Sequence, residues 1–119
     1  MTSLIFFFLL TCKHAIADLW LQARFTTGSK TNLRSSRLWL HSLDHAVLTF
    51  FVALVFVGVI NALWLSLLDF VLHAIIDFSK NYIQEKTGVV ERSIEYWKYA
   101  SVDQILHFST YLLIVLLAT

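Results

Sequence analysis

The stretch ALWLSLLDFVLHAIIDFS, residues 62–79, decides the fold. It is apolar enough to cross a bilayer core, which needs about 17–25 residues of helix. Yet Asp69, His73 and Asp77 recur in it every fourth position. Residues four apart share one helix face, so this segment is an apolar cylinder with a single ionisable stripe. Such side chains are costly in lipid and turn toward a protein interior, so the segment demands neighbours with matching stripes.

The neighbours are present. Apolar stretches also run over residues 4–22, 38–59 and 102–118, and each carries its own polar pair. The first has His14 and Asp18, with Gln22 one turn on. The second has His41 and His45, with Asp44 between. The fourth has Asp103 and His107, with Gln104 adjacent. A membrane barrel would need shorter, alternating segments. Helices satisfy their own backbone groups in lipid, so the fold expected is all-α: a four-helix up-down transmembrane bundle forming a single domain over residues 1–119.

Composition agrees. Of 119 residues, 58% are hydrophobic and 14% charged, against about 45–50% and 25% in ordinary soluble domains. Mean hydropathy is +0.71. These values argue against a disordered chain, and a net charge of +1 offers no field for nucleic acid. The single cysteine, Cys12, excludes a disulfide framework and a cysteine-based zinc site. Leu9-Leu10-Thr11-Cys12 has the look of a lipoprotein cleavage box. No basic residue precedes it, and the segment is read as the first helix.

Lysine and arginine placement gives the orientation. The loop over residues 23–37 carries Arg24, Lys30, Arg34 and Arg37; that over residues 80–100 carries Lys80, Lys86, Arg92 and Lys98. Both loops are therefore expected in the cytoplasm, with both termini outside. In the second loop Val89, Val90, Ile94 and Trp97 oppose Glu91, Arg92, Glu95 and Lys98, the pattern of an amphipathic interfacial helix before the last span. Gly58 to Asn61 is expected to form the short turn between the second and third helices.

Depth sharpens the site. Counted from the cytoplasmic end, the first rung on successive helices is Asp18, His41, Asp77 and Asp103. One turn deeper, about 6 Å at 1.5 Å per residue, come His14, His45, His73 and His107. Imidazole with carboxylate is the ligand set for zinc, iron or manganese. These eight residues are the candidate ligands of a divalent metal. Gln22, Asp44, Asp69, Lys80 and Gln104 are candidates to orient them or to meet a substrate. Lys80 and the basic first loop could hold a phosphate or an anionic headgroup. Lys13 lies off the stripe and is expected to snorkel or to pair with an acid such as Asp69. Two other readings stay open: a metal-free His/Asp hydrogen-bond network, and a proton path.

The ordered set His14-x-x-x-Asp18-x-x-x-Gln22, Lys30, His41-x-x-x-His45, His73-x-x-x-Asp77-x-x-Lys80 and Asp103-Gln104-x-x-His107 resembles the bacterial and phage family catalogued as domain of unknown function 3307. That resemblance implies a small polytopic protein of the bacterial inner membrane, and no established activity. The His-x-x-x-Asp elements are also similar to those of membrane-bound metal-dependent hydrolases, whose His-Arg and Pro-Asp elements are missing here. By analogy this implies metal-dependent hydrolysis. The rival expectation is a phage or bacterial membrane factor that acts on a membrane protein partner.

Overall fold

A computed structural model describes residues 1–22 and 30–119; Arg24 and Gly28, with the rest of 23–29, lie outside the described residues. The described chain is helical, with no strand. Helix α1 spans Thr2–Ile16 and runs straight into a π-helical turn over Ala17–Leu21. Helix α2 spans Ser36–Leu54, α3 Val59–Thr87 and α4 Ile94–Ala118. Consecutive helices pack on one another and α4 closes back onto α1, giving a four-membered ring around a shared interior.

Helix α3 is longer than its apolar part. The expected helix 62–79 extends from Val59 to Thr87, and the expected loop 80–100 contracts to residues 88–93. Between Lys80 and Thr87 the chain turns polar but offers no breaker, and Lys, Gln and Glu are good helix formers. The loss of apolarity there reports depth, not the end of the helix. The end comes at Gly88, whose φ of 66° supplies the left-handed cap, with the Val89 amide donating to the Gln84 carbonyl at 3.0 Å. Twenty-nine residues at 1.5 Å give about 44 Å, the long dimension of the molecule. That is longer than a hydrocarbon core of about 30 Å is thick.

The amphipathic run is divided by the cap. Val89 and Val90 fall in the turn, while Ile94 and Trp97 belong to the first turns of α4, where Ser93 Oγ accepts from the Tyr96 amide at 3.2 Å. No separate interfacial helix forms among the described residues. Asn61 likewise sits in the first turn of α3 rather than in the turn before it.

Three helical stretches, Thr2–Leu21, Val59–Thr87 and Ile94–Ala118, are long and apolar enough to cross a membrane. Helix α2 is not among them, because Arg37, His41, Asp44 and His45 dilute its apolar residues. The packing is nevertheless inside-out relative to a water-soluble protein. As many polar or charged residues as apolar ones are buried, twelve of each among the described residues, while Leu63, Trp64, Leu116 and many other large apolar side chains lie on the surface. One end of the interior is a dry cluster that includes Phe6, Leu10, Ala53, Leu65, Ile114 and Val115. The other end holds the histidines.

Candidate metal centre

The interior is built in layers, one per helical turn. Next to the apolar cluster lies a layer of Lys13, Thr49, Asp69 and Tyr111. Lys13 Nζ sits 2.7 Å from Asp69 Oδ2, which also accepts from the Thr49 hydroxyl at 2.6 Å. The Lys13 ammonium lies 4.5 Å from the centre of the Tyr111 ring and 3.2 Å from His45 Nδ1. The pairing of Lys13 with Asp69 read from the sequence is therefore present, and the lysine is buried rather than snorkelled.

The next layer is a ring of four imidazoles, one from each helix. Ring centres are 5.0 Å apart for His14 and His45, 3.7 Å for His45 and His73, 4.2 Å for His73 and His107, and 5.1 Å for His107 and His14. The third layer holds Asp18, His41, Asp77 and Asp103. Asp18 meets three imidazoles: His14 Nε2 at 2.9 Å, His45 Nε2 at 3.0 Å and His41 Nε2 at 3.2 Å. Asp77 lies 3.1 Å from His107 Nε2, 3.5 Å from His73 Nε2 and 3.7 Å from His41 Nε2. Asp103 is 3.4 Å from His107 Nε2. All eight candidate residues thus converge, in the two rungs that the helical spacing predicts.

The flanking candidates divide. Gln22 Oε1 accepts from Lys30 Nζ at 2.7 Å, and the same ammonium reaches Asp77 Oδ2 at 2.6 Å. Lys80 Nζ lies 3.5 Å from Asp103 Oδ2, and Gln104 Nε2 donates to that oxygen at 3.2 Å. Asp69 serves Lys13, one layer away from the carboxylates. Asp44 is half-buried and belongs to none of the ligand groups. Residue-by-residue reading missed the partnership of Tyr111, whose hydroxyl lies 2.6 Å from His14 Nδ1, and that of Thr49. The signal was available: Thr49 follows His45 by four, and Tyr111 follows His107 by four.

Three sets of ligand atoms each lie within 4.8 Å of one another: Asp18, His41, His45 and His73; His14, His73 and His107; and Asp77, Asp103 and His107. Imidazole nitrogens at about 2.0–2.1 Å from one tetrahedral ion stand about 3.4 Å apart, so a modest contraction would serve any of the sets. Charge separates them. The two carboxylates of the third set already face two ammoniums, Lys30 and Lys80. Asp18 in the first set has only imidazoles within ion-pair distance among the described residues.

Unspent ligand capacity falls on the first two sets, which share His73. Both ring nitrogens of His73, Nδ1 of His41 and Nε2 of His14 are buried without a hydrogen-bond partner. Buried polar atoms are rarely left so, and a cation would take the free lone pair of such a ring. His45 is less free. An ammonium has donors only, so Lys13 makes His45 Nδ1 the acceptor and leaves the ring proton on Nε2, facing Asp18. The side chain of Asp18 keeps 28% of its surface exposed, against 5% or less for the other seven. It therefore marks the open side of the cluster. It projects from the π turn, whose extra residue per turn re-aims side chains, a feature frequent at functional sites.

A family model described as "Protein of unknown function (DUF3307)" matches residues 5–119, and the chain belongs to that family. No curated protein and no solved structure matches it significantly.

Proposed function

We propose that this DUF3307 protein is a four-span membrane protein that binds a divalent metal at Asp18, His41, His45 and His73. In this reading the ends carrying Lys30, Arg34, Arg37, Lys80, Lys86, Arg92 and Lys98 face the cytoplasm of a bacterial cell, and both termini face out. The observation that carries the metal reading is His73: a buried imidazole with no hydrogen bond at either nitrogen, whose ligand atom lies within 4.8 Å of those of two further imidazoles and a carboxylate. Three imidazoles and one carboxylate would close a tetrahedral zinc site and would leave a five- or six-coordinate iron or manganese a position for water or substrate.

A divalent ion there would supply Lewis acidity or a bound water of lowered pKa, the basis of metal-dependent hydrolysis of a lipid-linked or phosphorylated substrate. The chain's own residues supply the frame. Tyr111 orients His14, which in turn meets Asp18 at 2.9 Å, and Asp69 holds Lys13. Lys30 and Lys80 neutralise Asp77 and Asp103, which keeps two more carboxylates beside the centre without competing for the ion.

The second reading, a metal-free network that fixes helix packing, is supported by His45: its proton already faces Asp18. A path across the whole bundle has less support, since Phe6, Leu10, Leu65 and Ile114 close the opposite end. Elemental analysis of detergent-purified protein, without a metal-binding tag, separates these. The metal reading expects one equivalent of zinc, iron or manganese in the wild type, lost in His73→Ala and Asp18→Ala and retained in Asp103→Ala. A wild type without metal after reconstitution would refute it in favour of the network.

A further inference from the structure

Helices α3 and α4 leave a groove of about 360 Å³ between them, at the end where their connecting turn lies. Its walls are aliphatic: Ile76 and Ile83 on α3 face Val102 and Leu106 on α4. Both helices are apolar enough to cross a membrane, so the open side of the groove meets acyl chains. The volume falls in the range of about 300–1,000 Å³ typical of small-molecule sites.

The lining also carries two ammoniums from opposite walls, Lys80 of α3 and Lys98 of α4. Each rests on a carboxylate, Lys80 on Asp103 at 3.5 Å and Lys98 on Glu95 at 3.1 Å. Both contacts are longer than the 2.7–2.9 Å or so of a charge-assisted hydrogen bond, so both amines remain available to a phosphate. Asp103 also stands 3.4 Å from His107, so the groove borders the histidine cluster through this carboxylate.

We propose that this groove is a phospholipid site: one acyl chain lies between Ile76, Ile83, Val102 and Leu106, and the phosphate is clamped by Lys80 and Lys98, beside Asp103. The site does not require the metal centre, but it would deliver a lipid phosphate next to it.

Native mass spectrometry of the full chain, extracted in mild detergent, tests this through retained lipid mass, independently of metal content. One phospholipid per chain is expected. Tryptophan in either wall, Ile83→Trp or Val102→Trp, overpacks the groove and lowers occupancy by about tenfold. Leu112→Trp, on the exposed surface of α4, leaves it unchanged. After delipidation, Lys80→Ala/Lys98→Ala binds added phospholipid more weakly than the wild type does, and diacylglycerol with the same chains binds poorly to both. No lipid in the wild type after reloading, or full occupancy in both tryptophan variants with native helicity, overturns the groove. Equal binding of diacylglycerol overturns the phosphate clamp, and a dimer broken by the tryptophans in place of lipid overturns the choice of occupant.

Discussion

Lys13 and Asp69 form an ion pair sealed between the apolar cluster and the histidine ring, and removing either partner alone should be severe. Asp69 is 1% exposed and Lys13 3% exposed. Lys13→Met keeps the length and packing of the stem but leaves a buried carboxylate whose remaining partner is the Thr49 hydroxyl at 2.6 Å. Breaking a buried pair in this way costs about 3–5 kcal/mol. Asp69→Leu strands the ammonium instead. The ammonium keeps the Tyr111 ring at 4.5 Å, a contact worth about 0.5–2 kcal/mol, so this variant should be the milder. The double variant Lys13→Met/Asp69→Leu removes both charges. Its residual cost is the acceptor lost to Thr49 and the donor lost to His45, about 1 kcal/mol each. Part or all of that is offset, because apolar replacement of a buried pair is neutral to stabilising by about 1–4 kcal/mol. The double variant should therefore lie within about 2 kcal/mol of the wild type, with a coupling of at least about 2 kcal/mol. Equilibrium unfolding in mixed micelles, followed by helicity and by the fluorescence of the four tryptophans, reads these values. Single variants that each cost under about 1 kcal/mol, or additive costs in the double, would refute the sealed pair.

Other perturbations reach the neighbouring layers. Tyr111→Phe keeps the ring under Lys13 but leaves His14 Nδ1 unpartnered, and should cost about 1–3 kcal/mol in the same unfolding assay. If the metal reading holds, His14→Ala, which removes the 2.9 Å partner of Asp18, should weaken metal retention by about 10–100-fold, measured by competition with a chelator. Stripping the metal should lower stability by about 2.7 kcal/mol relative to protein held at a free metal concentration 100 times its Kd. His73→Ala should show no such difference, and an equal chelator effect in both would move the ion elsewhere. For topology, Thr119→Cys in a Cys12→Ala background should react with an impermeant maleimide on intact cells. Glu91→Cys should react only after lysis; the opposite pattern would invert the bundle.

The two rungs of the candidate site were legible in the sequence because a helix is a ruler. Residues four apart must share a face, and one turn must move every stripe by the same depth. His14, His45, His73 and His107 therefore fall in one layer, with Asp18, His41, Asp77 and Asp103 in the next, before any coordinate is known. The same ruler could have extended the pattern to Thr49 and Tyr111, but hydroxyls are ordinary in apolar helices and gave no reason to look. Apolarity was a poorer guide to where helices end. It tracks lipid contact, whereas α3 stops where Gly88 offers a left-handed cap.

What the one-dimensional pattern determined, then, is that four helices carry ionisable stripes on apolar cylinders, and such stripes turn toward one another because an apolar surface leaves their groups unsolvated. Which carboxylate meets which cation depends on distances between helices, and periodicity carries no such information. Only the tertiary structure pairs Lys30 with Asp77 and Lys80 with Asp103, gives Asp18 only imidazoles within ion-pair distance among the described residues, and leaves both ring nitrogens of His73 without a hydrogen bond. Sequence spacing placed eight candidate residues in two layers; packing decided which of them have charge still to be answered.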